Sequence, residues 1–390
     1  MDPITNPYAP GAGNQPPELA GRDDILERTR TTLARVQAGR FAKSFMLVGL
    51  RGVGKTVLLN KIEDIAEENK YIATIVETPE NKSLPDMLVP CLRRILIRLD
   101  TKEKVNVAAK HGMGVLKSFV GAFKVKVGDI EFGVDVPSTR GTADSGDLDN
   151  DLPELFEAVG VAARNRQRAV AIIIDELQYV AENEFSALIM AMHRISQKQL
   201  PIILIGAGLP PLVGLAGRSK SYAERLFDYP RVDALESRHA RVALAEPALR
   251  ENVKFHRDAV DRIFSLTHGY PYFLQEWGFQ TWNVAKRSPI TLQDVIQATP
   301  LAIKSLDESF FRVRFDRITP REKDYLFAMA TLGAGPHRSG DIAGELRVAV
   351  ESVAPVRSSL IKKGMVFSPA HGDTAFTVPM FDEYLNRVNP

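Results

Sequence analysis

Residues 49–56 read Gly-Leu-Arg-Gly-Val-Gly-Lys-Thr, which fits the spacing GxxxxGK[ST]. An apolar run, Phe45 to Val48, comes before it, and a helical pattern, Val57 to Glu67, follows. This spacing suits the holding of a polyphosphate. Phosphates approach the backbone closely, so side chains must be small at Gly52 and Gly54. Consecutive N–H groups at a helix N-terminus then face the anion. The contacts expected along the stretch are Gly49, Arg51, Gly52, Val53, Gly54, Lys55, Thr56 and Val57. Lys55 reaches the β- and γ-phosphates, and the Thr56 hydroxyl ligates Mg²⁺.

A second element is Ile172-Ile173-Ile174-Asp175-Glu176. A buried strand ending in Asp sets a carboxylate at the C-terminal edge of a parallel sheet, where open α/β folds bind ligands. Asp175 is then placed to hold the Mg²⁺ shell, and Glu176 to orient or deprotonate the attacking water. By itself the pair reads as an acidic helix cap after a core strand. Lying about 120 residues beyond the phosphate loop, it reads as the second half of a hydrolytic site.

The elements that must position these groups are legible as periodicities. Asp23 to Gln37 carries Ile25, Leu26, Leu33 and Val36 at helical spacing. Tyr71 to Thr78, Ala169 to Ile174 and Ile202 to Ile205 read as short strands, alternating with helices over Pro85 to Asp100, Leu152 to Arg168 and Glu184 to Gln199. That alternation predicts an α/β protein with a parallel sheet covered on both faces. The Pro- and Gly-rich residues 1–20 are expected to form an extended arm without a helix. Residues 101–150 read as an insertion, with a hairpin over Lys124 to Val136 turning at Gly128-Asp129 and a small polar stretch from Pro137 to Asp151. Residues 237–317 read as helices only. Residues 318–390 show three helices and then a two-stranded hairpin, Gly364 to Phe367 and Ala375 to Val378, which is the winged-helix pattern.

These residues resemble the P-loop ATPases of the AAA+ and STAND groups, especially bacterial proteins related to origin-recognition ATPases. The resemblance implies an ATPase core at 21–236, a helical lid at 237–317 and a winged helix at 318–390, with ATP or ADP and Mg²⁺ as ligands. Pro17 to Arg22 resembles the family's entry segment, which implies that Arg22 lies near the adenine. Ser221 to Phe227 resembles the segment bearing the arginine finger, which implies a catalytic Arg225 acting within one chain or across a subunit interface. His268-Gly269-Tyr270-Pro271 resembles the STAND GxP motif, whose proline, here Pro271, sits against the base. The sequence departs from the family where a polar γ-phosphate sensor usually follows the strand Ile202 to Ile205. Gly206, Ala207 and Gly208 stand there, and no lid arginine near Gly269 replaces it. The departure implies slow or partner-dependent hydrolysis, and a switch more than a motor.

Composition narrows the classes. The chain has 390 residues, 45% hydrophobic and 25% charged, enough to bury a real core and exclude disorder. A single cysteine, Cys91, excludes a disulfide framework and a cysteine zinc site. The histidines lack metal spacing, and His193, Trp277 and Trp282 read as structural. No apolar run approaches the ~20 residues of a membrane span, and no secretory leader is visible, so a cytoplasmic protein is expected. A net charge of +2 does not argue for nucleic acid. The third winged-helix segment, about 351–363, offers Arg357, Lys362 and Lys363 for DNA or partner contact, yet basic and acidic residues balance over 318–390. The insertion is more polarised, basic from Arg93 to Lys126 and acidic from Asp129 to Asp151, and could form a contact surface. The expected outputs are a DNA-associated ATPase assembling as a homo-oligomer with ATP, or a STAND-type scaffold with little turnover that controls an effector protein.

Overall fold

The computed structural model describes residues 1–11, 13–79, 82–100, 107–125, 137–370 and 372–389. The chain divides into two compact units. One holds residues 23–48 and 58–231; the other holds residues 1–22, 49–57 and 232–390.

The first unit is built on α1 (Asp23–Gln37), β1 (Ser44–Val48), most of α2 (Lys55–Glu68), β2 (Ile72–Glu77), α3 (Leu84–Leu99), α4 (Val107–Phe123), α5 (Leu148–Asn165), β3 (Val170–Asp175), α6 (Glu182–Gln197), β4 (Ile202–Gly208), α7 (Pro211–Ser219), α8 (Ala223–Leu226) and β5 (Phe227–Asp228). Its strands form one parallel sheet in the order β2-β3-β4-β1-β5. Every residue of β1, β3 and β4 is buried, as a parallel sheet covered on both faces requires. Each buried isoleucine of β3 contributes about 1.5–3 kcal/mol. The register puts Met46, Gly206 and Ile174 in one row, so Val48 and Asp175 end their strands at the same edge. This is the α/β arrangement with a parallel sheet covered on both faces that the sequence predicts.

Within the segment read as an insertion, residues 107–123 form the regular helix α4, which the sequence reading did not place. Gly112, Gly114 and Gly121 weaken a helical reading of the sequence. In the fold, Gly112 permits close packing: a methyl group there would meet Leu96 Cδ2 of α3 at 2.7 Å and the Ala158 carbonyl of α5 at 3.7 Å. Val115, Leu116 and Phe119 are fully buried beside it. Of the expected hairpin, residues 126–136 lie outside the described residues.

The second unit continues with α9 (Ser237–Arg250), α10 (Arg257–Thr267), α11 (Pro271–Val284), α12 (Leu292–Ser305), a π-helical turn Leu306–Phe311, α13 (Arg312–Phe315), α14 (Pro320–Thr331), β6 (His337–Arg338), α15 (Ser339–Leu346), α16 (Val350–Lys362), β7 (Val366–Phe367), β8 (Asp373–Phe376) and α17 (Phe381–Val388). Residues 237–317 are helical, as expected. Three helices, α14 to α16, then lead to an antiparallel sheet in the order β6-β8-β7. The first twenty residues depart from a bare arm. Pro3–Thr5 makes one 3₁₀ turn that Asp2 caps, and Tyr8 is 2% exposed, with its hydroxyl donating to the Leu244 carbonyl. The aromatic anchor outweighs the prolines, because it buries a large ring against Gly278.

Glu322 links α14 to α16. It accepts from Lys363 Nζ at 2.7 Å and Ser359 Oγ at 2.6 Å, and from the Thr319 N–H at 2.6 Å. Burial alone would raise its pKa, but these donors outweigh it and hold the carboxyl at about 2. Because the folded value lies below the unfolded one, its stabilisation is present above about pH 4 and lost as pH falls towards 2. Glu322→Gln is expected to remove about 2 kcal/mol at pH 7 and to flatten the acid limb between pH 4 and 2. Urea melts of both proteins across that range check it, and an unchanged acid limb would refute the assignment.

Candidate functional site

The chain leaves β1 at Val48 and turns through the loop. Gly52 has φ +80° and Gly54 φ +93°, backbone conformations that glycine adopts without strain. Gly49 is required for another reason: a Cβ there would lie 2.1 Å from the Val232 carbonyl oxygen. Lys55 opens α2 and is 6% exposed. Its ammonium donates to the Gly49 carbonyl at 3.0 Å and the Leu50 carbonyl at 2.8 Å, which holds the side chain back across the loop. Thr56, at the second position of α2, is exposed. The loop is braced by its own unit. The buried Arg22 guanidinium donates to the Val53 carbonyl at 3.1 Å and the Asp233 carbonyl at 2.6 Å. Its pKa is lowered by burial, partly countered by Asp233. The Tyr272 N–H donates to the Gly52 carbonyl at 3.3 Å, and Pro271 begins α11 immediately before it. Arg51 joins the loop to the C-terminal segment. Its N–H donates to the Thr377 carbonyl and its Nε to the Gly364 carbonyl, both at 3.3 Å.

At the sheet edge, Asp175 is buried and ends β3. One of its oxygens, Oδ1, accepts from the Glu176 N–H at 2.8 Å. Glu176 has φ 56° and ψ 36°, a left-handed conformation that costs a non-glycine residue roughly 1 kcal/mol or more. The turn it forces aims the carboxylate at Gln178, whose Nε2 donates to Glu176 Oε2. Gln178 Oε1 in turn accepts from the Leu209 N–H at 3.0 Å, just beyond β4. A side-chain amide thus reaches the strand end where Gly206, Ala207 and Gly208 carry no donor. Sequence reading missed Gln178, because its role depends on a turn that folds it back over the neighbouring strand.

Residues 18–205 match the AAA ATPase domain family. Those residues are an AAA ATPase domain. The family is one of nucleotide-binding ATPases. Residues 308–385 match a second family, a domain of unknown function (DUF8462). A comparison with curated proteins gives no match. Among solved structures, the Walker-type ATPase of Pyrococcus abyssi is similar at a TM-score of 0.54, with 15% identity over 94% of this chain and 96% of that one. The ORC1 protein of Aeropyrum pernix, solved in complex with DNA, gives 0.49 and 15% over 99% and 96%. The Thermotoga maritima RuvB Holliday junction branch migration motor gives 0.45 and 13% over 94% and 95%. At 15% identity, the Pyrococcus likeness speaks to the fold.

The remaining expected site residues are spread more widely. Beyond the AAA domain match, Arg225 lies on α8, exposed, and no carboxylate pairs with it among the described residues. Asp228, an obvious partner by sequence, instead pairs with Arg28 at 2.9 Å and Lys43 at 3.4 Å. Arg357 is bound into the hairpin, donating to Thr374 Oγ1, Ser368 Oγ and the Asp373 carbonyl at 2.7–2.8 Å. Lys363 is held by Glu322, and Lys362 is exposed. His193 packs against Tyr222 with the rings tilted, and Trp277 and Trp282 are buried. Among the described residues, no cluster of metal-ligating side chains forms and no helix is long and apolar enough to cross a membrane.

Proposed function

We propose that the chain binds ATP with Mg²⁺ and hydrolyses the γ-phosphate to switch conformation. The observation that carries this reading is the glycine loop with Lys55 drawn across its carbonyls, on a strand that ends level with the buried Asp175. The donor set fits a hard cation: one hydroxyl, Thr56, and one buried carboxylate, Asp175. The bound metal would neutralise charge developing on the phosphate oxygens. Lys55 binds the β- and γ-phosphates, and the loop N–H groups position them. Glu176 takes a proton from the water that attacks γ-phosphorus, and the bond to the β–γ bridging oxygen breaks to leave ADP. Arg225, exposed and without a carboxylate partner among the described residues, is suited to stabilising the transferring phosphoryl group from a neighbouring copy in an ATP-bound homo-oligomer. We assign residues 1–20 to an arm, 21–236 to the ATPase core, 237–317 to the lid and 318–390 to a winged helix. Steady-state phosphate release, together with mass measurements with and without a slowly hydrolysed ATP analogue, tests the reading.

Gln178 is a positioning residue in this scheme. Gln178→Leu is expected to lower kcat about tenfold and leave KM for ATP within twofold, since a side chain that only fixes the base acts on the chemical step. An unchanged kcat would remove Gln178 from the mechanism.

A second output has its own support. Arg357 and Lys363 are already engaged with protein groups, which favours a C-terminal segment that meets an effector protein over one that reads DNA. Salt-dependent DNA binding, with affinity falling steeply between low and physiological salt, would restore the DNA reading.

A further inference from the structure

A cavity of about 410 Å³ opens at the edge of the sheet opposite Asp175, where β1, β3 and β4 begin and α1, α5 and α6 end. The length of β3, at about 3.3 Å per residue, sets it roughly 17–20 Å from that carboxylate. Its size falls within the range of about 300–1,000 Å³ typical of small-molecule sites. Buried Val36, Met192, Ile195 and Leu200 give it apolar walls, and Phe41 lines it while 50% exposed. Arg35 fixes the loop that presents this ring, donating from Nε at 3.1 Å and Nη2 at 3.0 Å to the Phe41 carbonyl.

The charged lining is all of one sign. Arg40, Arg164 and Arg168 line the cavity, and no Asp or Glu does among the described residues. The whole chain carries only +2, so these cations are a local concentration. Among the described residues none of the three guanidinium groups has an ion-pair or hydrogen-bond partner. Glu157, two turns before Arg164 on α5, is engaged by Arg194 and Lys198, and Asp228 by Arg28 and Lys43. Helix capping does not explain the arginines either. The N–H groups of Arg40, Arg168 and Leu200 donate back to the Arg35, Ala163 and Ile195 carbonyls at 2.8, 3.1 and 3.1 Å, so each helix end is closed by its own backbone. The closing residues Gly39, Gln167 and Gln199 all have left-handed backbones, and the two glutamines, at φ 52° and 48°, stand where glycine is the usual choice. The three helix C-termini together amount to roughly −1.5 charges, half of what the arginines supply.

We propose that this cavity binds a small organic anion, with an apolar body against the buried walls and a carboxylate or phosphate head met by Arg40, Arg164 and Arg168. A planar guanidinium suits either head, because its paired N–H groups match two oxygens. The occupant is a free small molecule and not an added peptide strand. β1, β3 and β4 are the three central strands of the sheet, paired on both sides, and offer no open edge at the cavity. The site stands apart from the nucleotide reading, since Asp175 and Glu176 lie at the other end of the strands.

Calorimetry and ligand-detected NMR on the full chain test this with octanoate, octyl phosphate and 3-phenylpropionate. Octanol serves as a body without the head, and acetate as a head without the body. At least one of the three anions is expected to bind at about 0.1–1 mM, tenfold or more tighter than octanol or acetate. The double variant Arg164→Gln/Arg168→Gln, at two exposed positions, should weaken that anion about tenfold and leave octanol within about twofold. Ala42→Trp, in the loop that lines the cavity, should weaken both by filling it. Circular dichroism and thermal melting check that these variants stay folded. Lys55→Ala should leave anion binding within about twofold, whatever it does to ATP. Silence from all three anions up to about 10 mM would overturn the proposal, as would octanol binding as tightly as they do, or wild-type anion affinity in either folded variant. A loss in Lys55→Ala as large as in the double variant would place the anion at the phosphate loop and overturn it too.

Discussion

Lys55→Ala is expected to lower the affinity for ATP and ADP by a factor of about 10² to 10³, which at micromolar protein reads as no binding. The size follows from what the ammonium does. A charge-assisted hydrogen bond is worth about 1.5–3 kcal/mol, and in the proposed site the lysine makes one to each of two phosphates. Truncation also leaves the Gly49 and Leu50 carbonyls without the donor that spans them. The loop therefore loses its brace as well as its cation, so Lys55→Arg is not expected to rescue, because a guanidinium is bulkier than the ammonium these two carbonyls accommodate. Calorimetry with ATP and with ADP checks the affinity, and circular dichroism checks that the β-sheet unit is intact. Wild-type-like binding in a folded Lys55→Ala protein would refute the phosphate role.

Glu176→Gln is the second large effect. It keeps the shape of the side chain and leaves an oxygen for Gln178 Nε2, so ATP binding should stay within about twofold. It removes the proton acceptor, and general-base contributions are typically about 10²–10⁴ in rate. Phosphate release is therefore expected to fall by about 10² or more. Binding and turnover must be measured on the same preparation, because a joint loss would mean that the left-handed turn at Glu176 had relaxed. Full turnover in the variant would exclude Glu176 as the base and move attention to the scaffold reading with no useful hydrolysis.

Much of this is legible in the sequence. The buried strands β1, β3 and β4 announce themselves as apolar runs because a parallel sheet covered on both faces tolerates nothing else. The phosphate loop is legible because close approach of an anion demands glycine at fixed positions. Helix α4 was hidden, since its glycines count against a helix locally and in its favour only once α3 and α5 press against Gly112. Tyr8 was hidden inside a proline-rich stretch, and its anchoring depends on the bare face of Gly278.

The alternation of β1 to β4 with α1, α2, α3, α5 and α6, the loop and the acidic pair were determined by sequence alone, because each is a local pattern of size, charge and period. Tertiary structure decided which polar groups meet. Gln178 faces Glu176 and the end of β4, Arg51 ties the loop to Gly364 and Thr377, and Arg314 comes to stand by Tyr270. These pairings join residues up to hundreds of positions apart, and each is selected by packing of the chain around it, for which no local spacing is a signature.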